Sequence, residues 1–591
     1  MVAVVLLAVT SGCGLFGGGG PEKIVEEYLA AWSAGDVAAA AALTDDPAAA
    51  VELLAATREA LAPVGLSATL RQVRTATGRA TASMDVVWEL GEGRTWSYLG
   101  ELELTAVPEE SGWEIRFDPT AVHPELGVGQ RLRVTTEPAQ PAPVVDRVGA
   151  PLLEATTVVT VLLDRTATGD LPAVTGALAA ALTPLDPSIT APSITDGAAR
   201  TPDGRAYTVA VLRETDYQSV RDAIHDLPGV RFTTGERLLA PDAGFARQVL
   251  PAVRAQVAAQ LDGVAGWSVR VLDRSGATVR TLVETPPRPG STVATGLDRA
   301  LQTAAEDAVE PVGQQAMIVA VAPSTGEILA VAQNDPADTQ GPVALLGRYP
   351  PGSTFEIVTA AAAVVGSGFG VETPVACPGS TTIGGRPIPN AGGFDLGTVP
   401  LRTAFARSCN TTFAQIATGL DAGALPTAAL TLGLGADYAV PALTTITGSV
   451  PVADEQVQRA ENGFGQGQVL ASPLGMALVA ATVASGAPVV PRLLDGAETE
   501  VLRAAGTPDP AALAALRPMM RAVVTEGSAT ALRGFGEVHG KTGTAEFTAD
   551  GRAHGWFVGY RGDVAFAVLV VDAGSSAPAV DVAARFLSAA S

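Results

Sequence analysis

Two proline-rich stretches constrain this chain first: EPAQPAPVV at 137–145 and ETPPRPGS at 284–291. Proline fixes φ, lacks an N–H donor and pushes the residue before it out of the helical region, so no helix or central strand runs through either stretch. The 591 residues are thereby cut into lengths of domain size, as expected where one core stops growing beyond roughly 250–300 residues. With 47% apolar and 17% charged residues the segments have material for packed cores, unlike a disordered chain. A formal charge of −23 argues against a nucleic-acid partner, whose phosphates it would repel.

Before the first joint, PEKIVEEYLAAWSAGDVAAAAALT has helical apolar spacing broken at Gly35-Asp36, and TASMDVVWEL and TWSYLGELELTAV alternate as strands. This predicts a small α+β unit over 21–130. From 131 to 293, strands (TTVVTVLLD, AYTVAVLRE, WSVRVLD) alternate with helices (LPAVTGALAAALT, YQSVRDAIHDL, FARQVLPAVRAQVAAQL), predicting a mixed α/β pedestal without a chemical motif. From 294 to 591 a third unit opens with AMIVAVAPSTGEILAVAQN, two apolar strands around a Pro-Ser-Thr-Gly turn. Its later apolar stretch PLGMALVAATVASG reads as a core helix rather than a membrane span.

The first 20 residues hold an apolar run, Val2 to Val9, far short of the ~20 residues that cross a bilayer but suited to a signal-peptide core. The run leads to VTSGC, which resembles a bacterial lipobox; that implies a lipid on Cys13 and a protein anchored at the extracytoplasmic face of the cell membrane. Cys377 and Cys409 are the other cysteines, and the sequence leaves open whether they pair or stay as two buried thiols. The histidines (His123, His225, His539, His554) lack ligand spacing, so neither a metal nor a cofactor is expected.

Lysine is scarce: only Lys23 and Lys541 among 38 basic residues. Lys541 lies in HGKTGTAEF at 539–547, downstream of PGSTFE at 351–356, RSCNTTF at 407–413 and NGFGQGQVLASPLGMA at 462–477. Each motif alone is commonplace. In this order, a serine motif, S-x-N and K-T-G, followed by GWFVGY, they resemble the transpeptidase domain of class B penicillin-binding proteins over roughly residues 295 to 575. The helix-then-sheet unit resembles the NTF2-like N-terminal domain of some of these proteins, and the whole chain resembles actinobacterial penicillin-binding lipoproteins.

The resemblance implies a multi-domain α+β fold: signal and glycine linker at 1–20, NTF2-like α+β domain at 21–130, α/β dimerisation or pedestal domain at 131–293, and at 294–591 a serine β-lactamase/transpeptidase-like α/β domain with a central antiparallel sheet. It implies peptidoglycan stem peptides and β-lactam antibiotics as ligands, with the membrane and cell-wall synthesis or divisome proteins as partners. A hydrolytic β-lactamase is disfavoured by the pedestal and anchor, and a glycosyltransferase domain has no room.

Carried over residue by residue, Ser353 would attack a D-alanyl-D-alanine carbonyl and form an acyl-enzyme. Ser408 would relay a proton and Asn410 hold the substrate backbone. On an extended K-T-G-T segment, Lys541 and Gly543 share a face. Lys541 would supply positive field, Thr542 or Thr544 would bond the substrate carboxylate, and the N–H groups of Ser353 and Thr544 would form the oxyanion hole.

One position departs from the pattern. The family's motif is S-x-x-K, and Glu356 stands where its lysine would act as base. The site loses a cation and gains an anion, which disfavours an incoming carboxylate. Locally, STFE also fits a capping box, with Ser353 at the cap and Glu356 at the third helical position. Three readings stay open: Glu356 is itself the base, with burial or Lys541 adjusting its proton affinity; Ser353 acylates slowly without base assistance; or the protein is an impaired pseudoenzyme that serves as a cell-wall or divisome binding scaffold.

Overall fold

The computed structural model describes residues 20–107, 112–202, 204–548 and 551–590; Cys13 and the VTSGC stretch lie outside them. The chain divides into two compact bodies, one built from residues up to 140 plus 263–289, the other from 141–262 plus 290–591.

In the first body, helices Pro21–Ala34, Val37–Ala41 and Pro47–Leu61 precede a four-stranded antiparallel meander, Gly65–Ala76, Arg79–Glu89, Thr95–Val107 and Gly112–Arg116. The Gly35-Asp36 break works as read from sequence: Gly35 takes φ +78 to end one helix, and the Asp36 carboxylate accepts the Ala39 N–H at 3.0 Å to start the next. Alternation buries Ala80, Ala82, Met84, Val86 and Trp88 on one face of their strand, packed with Tyr28, Leu29 and Trp32. A second sheet pairs Arg131–Glu137 with Gly266–Leu272, which pairs in turn with Thr278–Thr285. The strand predicted from WSVRVLD is therefore present, but its partners belong to this first body rather than to the pedestal sheet.

The second body begins with the long strand Pro151–Leu163, flanked antiparallel by Tyr207–Arg213 and Val230–Leu239 and packed with helices Leu171–Leu182, Ala191–Arg200 and Glu214–Ile224. The single helix predicted over FARQVLPAVRAQVAAQL is instead two short ones, Leu250–Gln256 and Ala258–Asp262. Pro251 in the first turn explains the late start, since a proline there leaves no bond unmade, whereas four residues into a helix it would clash with the preceding turn.

The rest of this body surrounds one antiparallel five-stranded sheet, in the order Ile328–Gln333, Ala316–Val321, Val564–Val570, Ala553–Arg561, His539–Glu546. Every residue of the first two strands is buried, so they read as unbroken apolar runs. Helices Arg299–Val309, Pro473–Ser485 and Ala577–Ala589 cover the sheet. Residues Pro473 to Val483 are all buried, which accounts for the apolar run as core. Among the described residues no helix is long and apolar enough to cross a membrane. The strand carrying Lys541 lies at one end of the sheet, with an edge left for other elements.

Candidate active site

That edge is met by the turn bearing Ser353. Residues Gly352–Phe355 form a 3₁₀ turn that runs into the helix Glu356–Ser367. Several contacts fix the turn: the Trp556 indole N–H donates to the Pro350 carbonyl at 2.9 Å, the Thr354 hydroxyl to the Pro351 carbonyl at 2.7 Å, and the Gly352 N–H to the Gly465 carbonyl at 3.0 Å. Glycine is required where backbones press together. A Cβ on Gly465, at φ +72, would fall 2.0 Å from the Gly352 oxygen, and one on Gly543 would fall 2.7 Å from the Pro351 oxygen. The glycines of GFGQG and KTG thus let a loop and a strand close on the serine turn.

Ser353 is 8% exposed. Behind it the structure brings together Glu356, Ser408 and Lys541. The Lys541 Nζ donates to Ser408 Oγ at 2.7 Å and to the Thr542 carbonyl at 3.1 Å, and faces Glu356 Oε2 at 3.2 Å. The Ser408 hydroxyl donates to Glu356 Oε1 at 3.1 Å. Both charged side chains are wholly buried, and the ammonium lies 5.4 Å from the Phe405 ring centre. Glu356 Oε2 meets the ammonium as a charge contact and accepts no aligned hydrogen bond.

The capping box is absent. Phe355 occupies the cap position and no side chain caps the helix. Glu356 turns instead to Lys541, because a buried ammonium without a countercharge costs more than a helix start without a cap. Burial pushes the Glu356 carboxyl above the usual glutamate range, against the pull of the Lys541 charge and the Ser353 and Ser408 hydroxyls. Burial likewise lowers Lys541, against the pull of Glu356.

Ser408 sits at φ +57 at the end of helix Leu401–Arg407, a left-handed geometry uncommon for serine. Its neighbour Cys409 is disulfide-bonded to Cys377, with Cα atoms 6.0 Å apart. Buried Asn390 reinforces this clamp, donating to the Pro378 and Phe394 carbonyls at 2.8 and 2.9 Å and accepting the Thr411 N–H at 3.1 Å. Asn410, half-buried, donates to the Pro389 carbonyl at 3.4 Å rather than to the serine, glutamate and lysine set.

On the lysine strand, Lys541 and Gly543 are buried toward the serine turn while Thr544 is exposed. The Thr542 hydroxyl is buried and bonded to the Ser528 hydroxyl at 2.5 Å. The Thr544 carbonyl lies against Gly352. Gln466 fits its amide to the Glu546 backbone, 3.0 Å from both N–H and C=O. His539 stacks on Tyr560 at 4.7 Å. Sequence reasoning missed Phe405, Ser528 and Asn390, whose contacts are distant in sequence and carry no local pattern. Gln466 lies inside the GFGQG motif, whose sequence assigns it no role. Among the described residues no cluster could hold a metal ion.

The helix start bearing Ser353 is thus set against an edge strand carrying Lys541, with the S-x-N turn alongside. A family model, the penicillin-binding protein transpeptidase domain, matches residues 316–589, and another, the NTF2-like N-terminal transpeptidase domain, matches residues 20–130. The chain belongs to the penicillin-binding protein transpeptidase family. It is 31% identical over 344 residues to the peptidoglycan D,D-transpeptidase PbpA of Mycolicibacterium smegmatis, spanning 49% of this chain and 68% of that protein. It is 30% identical over 303 residues to the PbpA of Mycobacterium tuberculosis, spanning 43% of this chain and 61% of the relative's length. In fold it is similar to the penicillin-binding protein PBP2 solved in complex with MreC from Helicobacter pylori, with a TM-score of 0.60 and 16% identity over 77% of this chain and 98% of that one.

Proposed function

We propose that the protein is an anchored D,D-transpeptidase-type acyltransferase that uses Ser353 on D-alanyl-D-alanine stem peptides and is acylated there by β-lactams. The observation that carries this reading is the bonded set of Glu356, Ser408 and Lys541 directly behind a nearly buried serine. Glu356 takes the Ser353 proton as Oγ attacks the carbonyl carbon. A raised carboxyl is a stronger base than an ordinary glutamate. The carbonyl electrons move to oxygen, held by the Ser353 and Thr544 N–H groups. Collapse expels the terminal D-alanine amine, which takes up the proton. An acceptor amine then attacks the acyl carbon and gives its proton to Glu356, the bond to Ser353 Oγ breaks, and the serine takes the proton back. Ser408, donating to Glu356 and accepting from Lys541, links the two ends of this proton path. Asn410 and the lysine strand beside Thr544 receive the peptide backbone.

The VTSGC sequence supports a lipid anchor on Cys13 and an extracytoplasmic position at the cell membrane. The MreC complex of the fold neighbour supports a search for cell-wall synthesis or divisome partners.

Intact-mass detection of a penicilloyl adduct tests the chemistry. The wild-type chain from residue 21 is expected to carry one adduct and Ser353→Ala none. The reversed charge at Glu356 favours the scaffold reading instead if wild type takes no adduct while Glu356→Lys does; the serine would then be silent and the site a binding surface.

A further inference from the structure

An ammonium has three N–H donors and no acceptor. Around Lys541 Nζ stand two hydrogen-bond acceptors, Ser408 Oγ and the Thr542 carbonyl at 2.7 and 3.1 Å, and the Glu356 Oε2 countercharge at 3.2 Å. Two N–H donors are spent on hydrogen bonds and the charge is held by Glu356, and the side chain has no exposed surface. Its countercharge is buried as completely, so the two charges behind Ser353 cancel. An S-x-x-K site would hold two cations at these positions; here the sum falls by two, to zero. The other acidic or basic groups on the lysine strand do not restore positive charge. Glu546 is an exposed anion, and burial keeps the His539 imidazole below its ordinary pKa. The hydroxyl left to meet a ligand beyond Gly543 is that of exposed Thr544, since Thr542 is bonded to Ser528. A hydroxyl or a strand N–H donates to an amide oxygen as well as to a carboxylate oxygen.

We infer that this site does not select its acyl donor by negative charge: it takes a D-alanyl peptide ending in an uncharged amide as readily as one ending in a free carboxylate. The inference rests on the acyl-transfer reading and narrows it, because a site with unpaired lysines would strongly prefer the acid.

Binding without chemistry separates the two. Full-length Ser353→Ala is titrated, by saturation-transfer NMR at millimolar peptide, with a stem-type peptide ending in D-alanyl-D-alanine and with its C-terminal amide, at low and high salt. The expected dissociation constants agree within about threefold, and that of the acid does not weaken with salt. Adding Glu356→Gln removes the countercharge and is expected to favour the acid by roughly tenfold or more. If that double variant does not fold, the salt series on Ser353→Ala alone decides. A tenfold preference for the acid in Ser353→Ala, lost at high salt, overturns this inference and leaves acyl transfer standing. Binding of neither peptide removes the D-alanyl reading and this inference together.

Discussion

Glu356 and Lys541 are each removed from water, and such a pair is stable only while both members are present. Either Glu356→Ala or Lys541→Ala leaves one charge uncompensated, and each is expected to cost about 3–5 kcal/mol in denaturant unfolding. The double replacement Glu356→Gln with Lys541→Met is expected to lie much nearer wild type, since two neutral side chains of similar volume leave no uncompensated charge in the interior. A double variant as unstable as the sum of the singles would show that shape rather than charge is being read. The carboxyl adds a pH dependence of fixed sign. Burial holds its proton affinity above that of the unfolded chain, so the folded state keeps a proton that the unfolded state has released. The contribution of this group to stability is then present at low pH and declines as pH rises from the ordinary glutamate range through the raised folded value. Glu356→Gln should flatten that limb. The sequence marked both residues, one as a charge reversal and one as a rare lysine. Which way Glu356 would turn was hidden, because a cap at its own helix and a lysine far along the chain both satisfy a carboxylate, and only burial decides between them.

The S-x-N turn needs more than its own residues to hold shape. Ser408 adopts a left-handed backbone, and the next residue is locked to the strand Pro374–Cys377. Closing a loop of sequence separation 32 limits the unfolded chain, an effect of about 3–4 kcal/mol. Replacing Cys377 and Cys409 together by serine is expected to lower stability by that order and to raise hydrogen exchange at 408–411 above that of the serine helix. Equal protection of both segments would mean that Asn390 alone suffices as the clamp. At this scale the sequence was legible where period and punctuation are local. The hairpin around Pro323 to Gly326, the core helix at 473–485 and the Gly35-Asp36 break follow from alternation, apolar length and turn residues. The cysteine pairing and the packing of GFGQG against the serine turn depend on which distant backbones meet, and no window of sequence contains that.

Across the whole molecule the proline joints mark where the chain changes direction, yet partnership does not follow chain order. The strand Gly266–Leu272 pairs with Arg131–Glu137, burying Val269 and Val271 beside Leu132 in the first body's core. Adjacent apolar alternation gives a strand its faces but not its neighbour, so from sequence the strand in WSVRVLD falls within the 131–293 pedestal. The ends of the second body on either side of this hairpin lie together: the Ser291 N–H donates to the Gln260 carbonyl at 2.9 Å, and a Cβ on Gly290 would fall 1.9 Å from the Leu261 oxygen. A chain starting at residue 141 therefore retains 263–289 as a hairpin deprived of its partner strand, with apolar surface and a bare edge exposed. It is expected to self-associate in size-exclusion chromatography. Replacing 263–289 in that truncated chain by a short glycine-serine linker removes the orphan hairpin while joining ends already adjacent, and should yield a monomer with one cooperative unfolding transition and the same Ser353 reactivity as the full chain. If the untrimmed 141–591 chain is itself monomeric and unfolds cooperatively, the hairpin folds on the second body without the first, and the division of the chain into these two bodies is wrong.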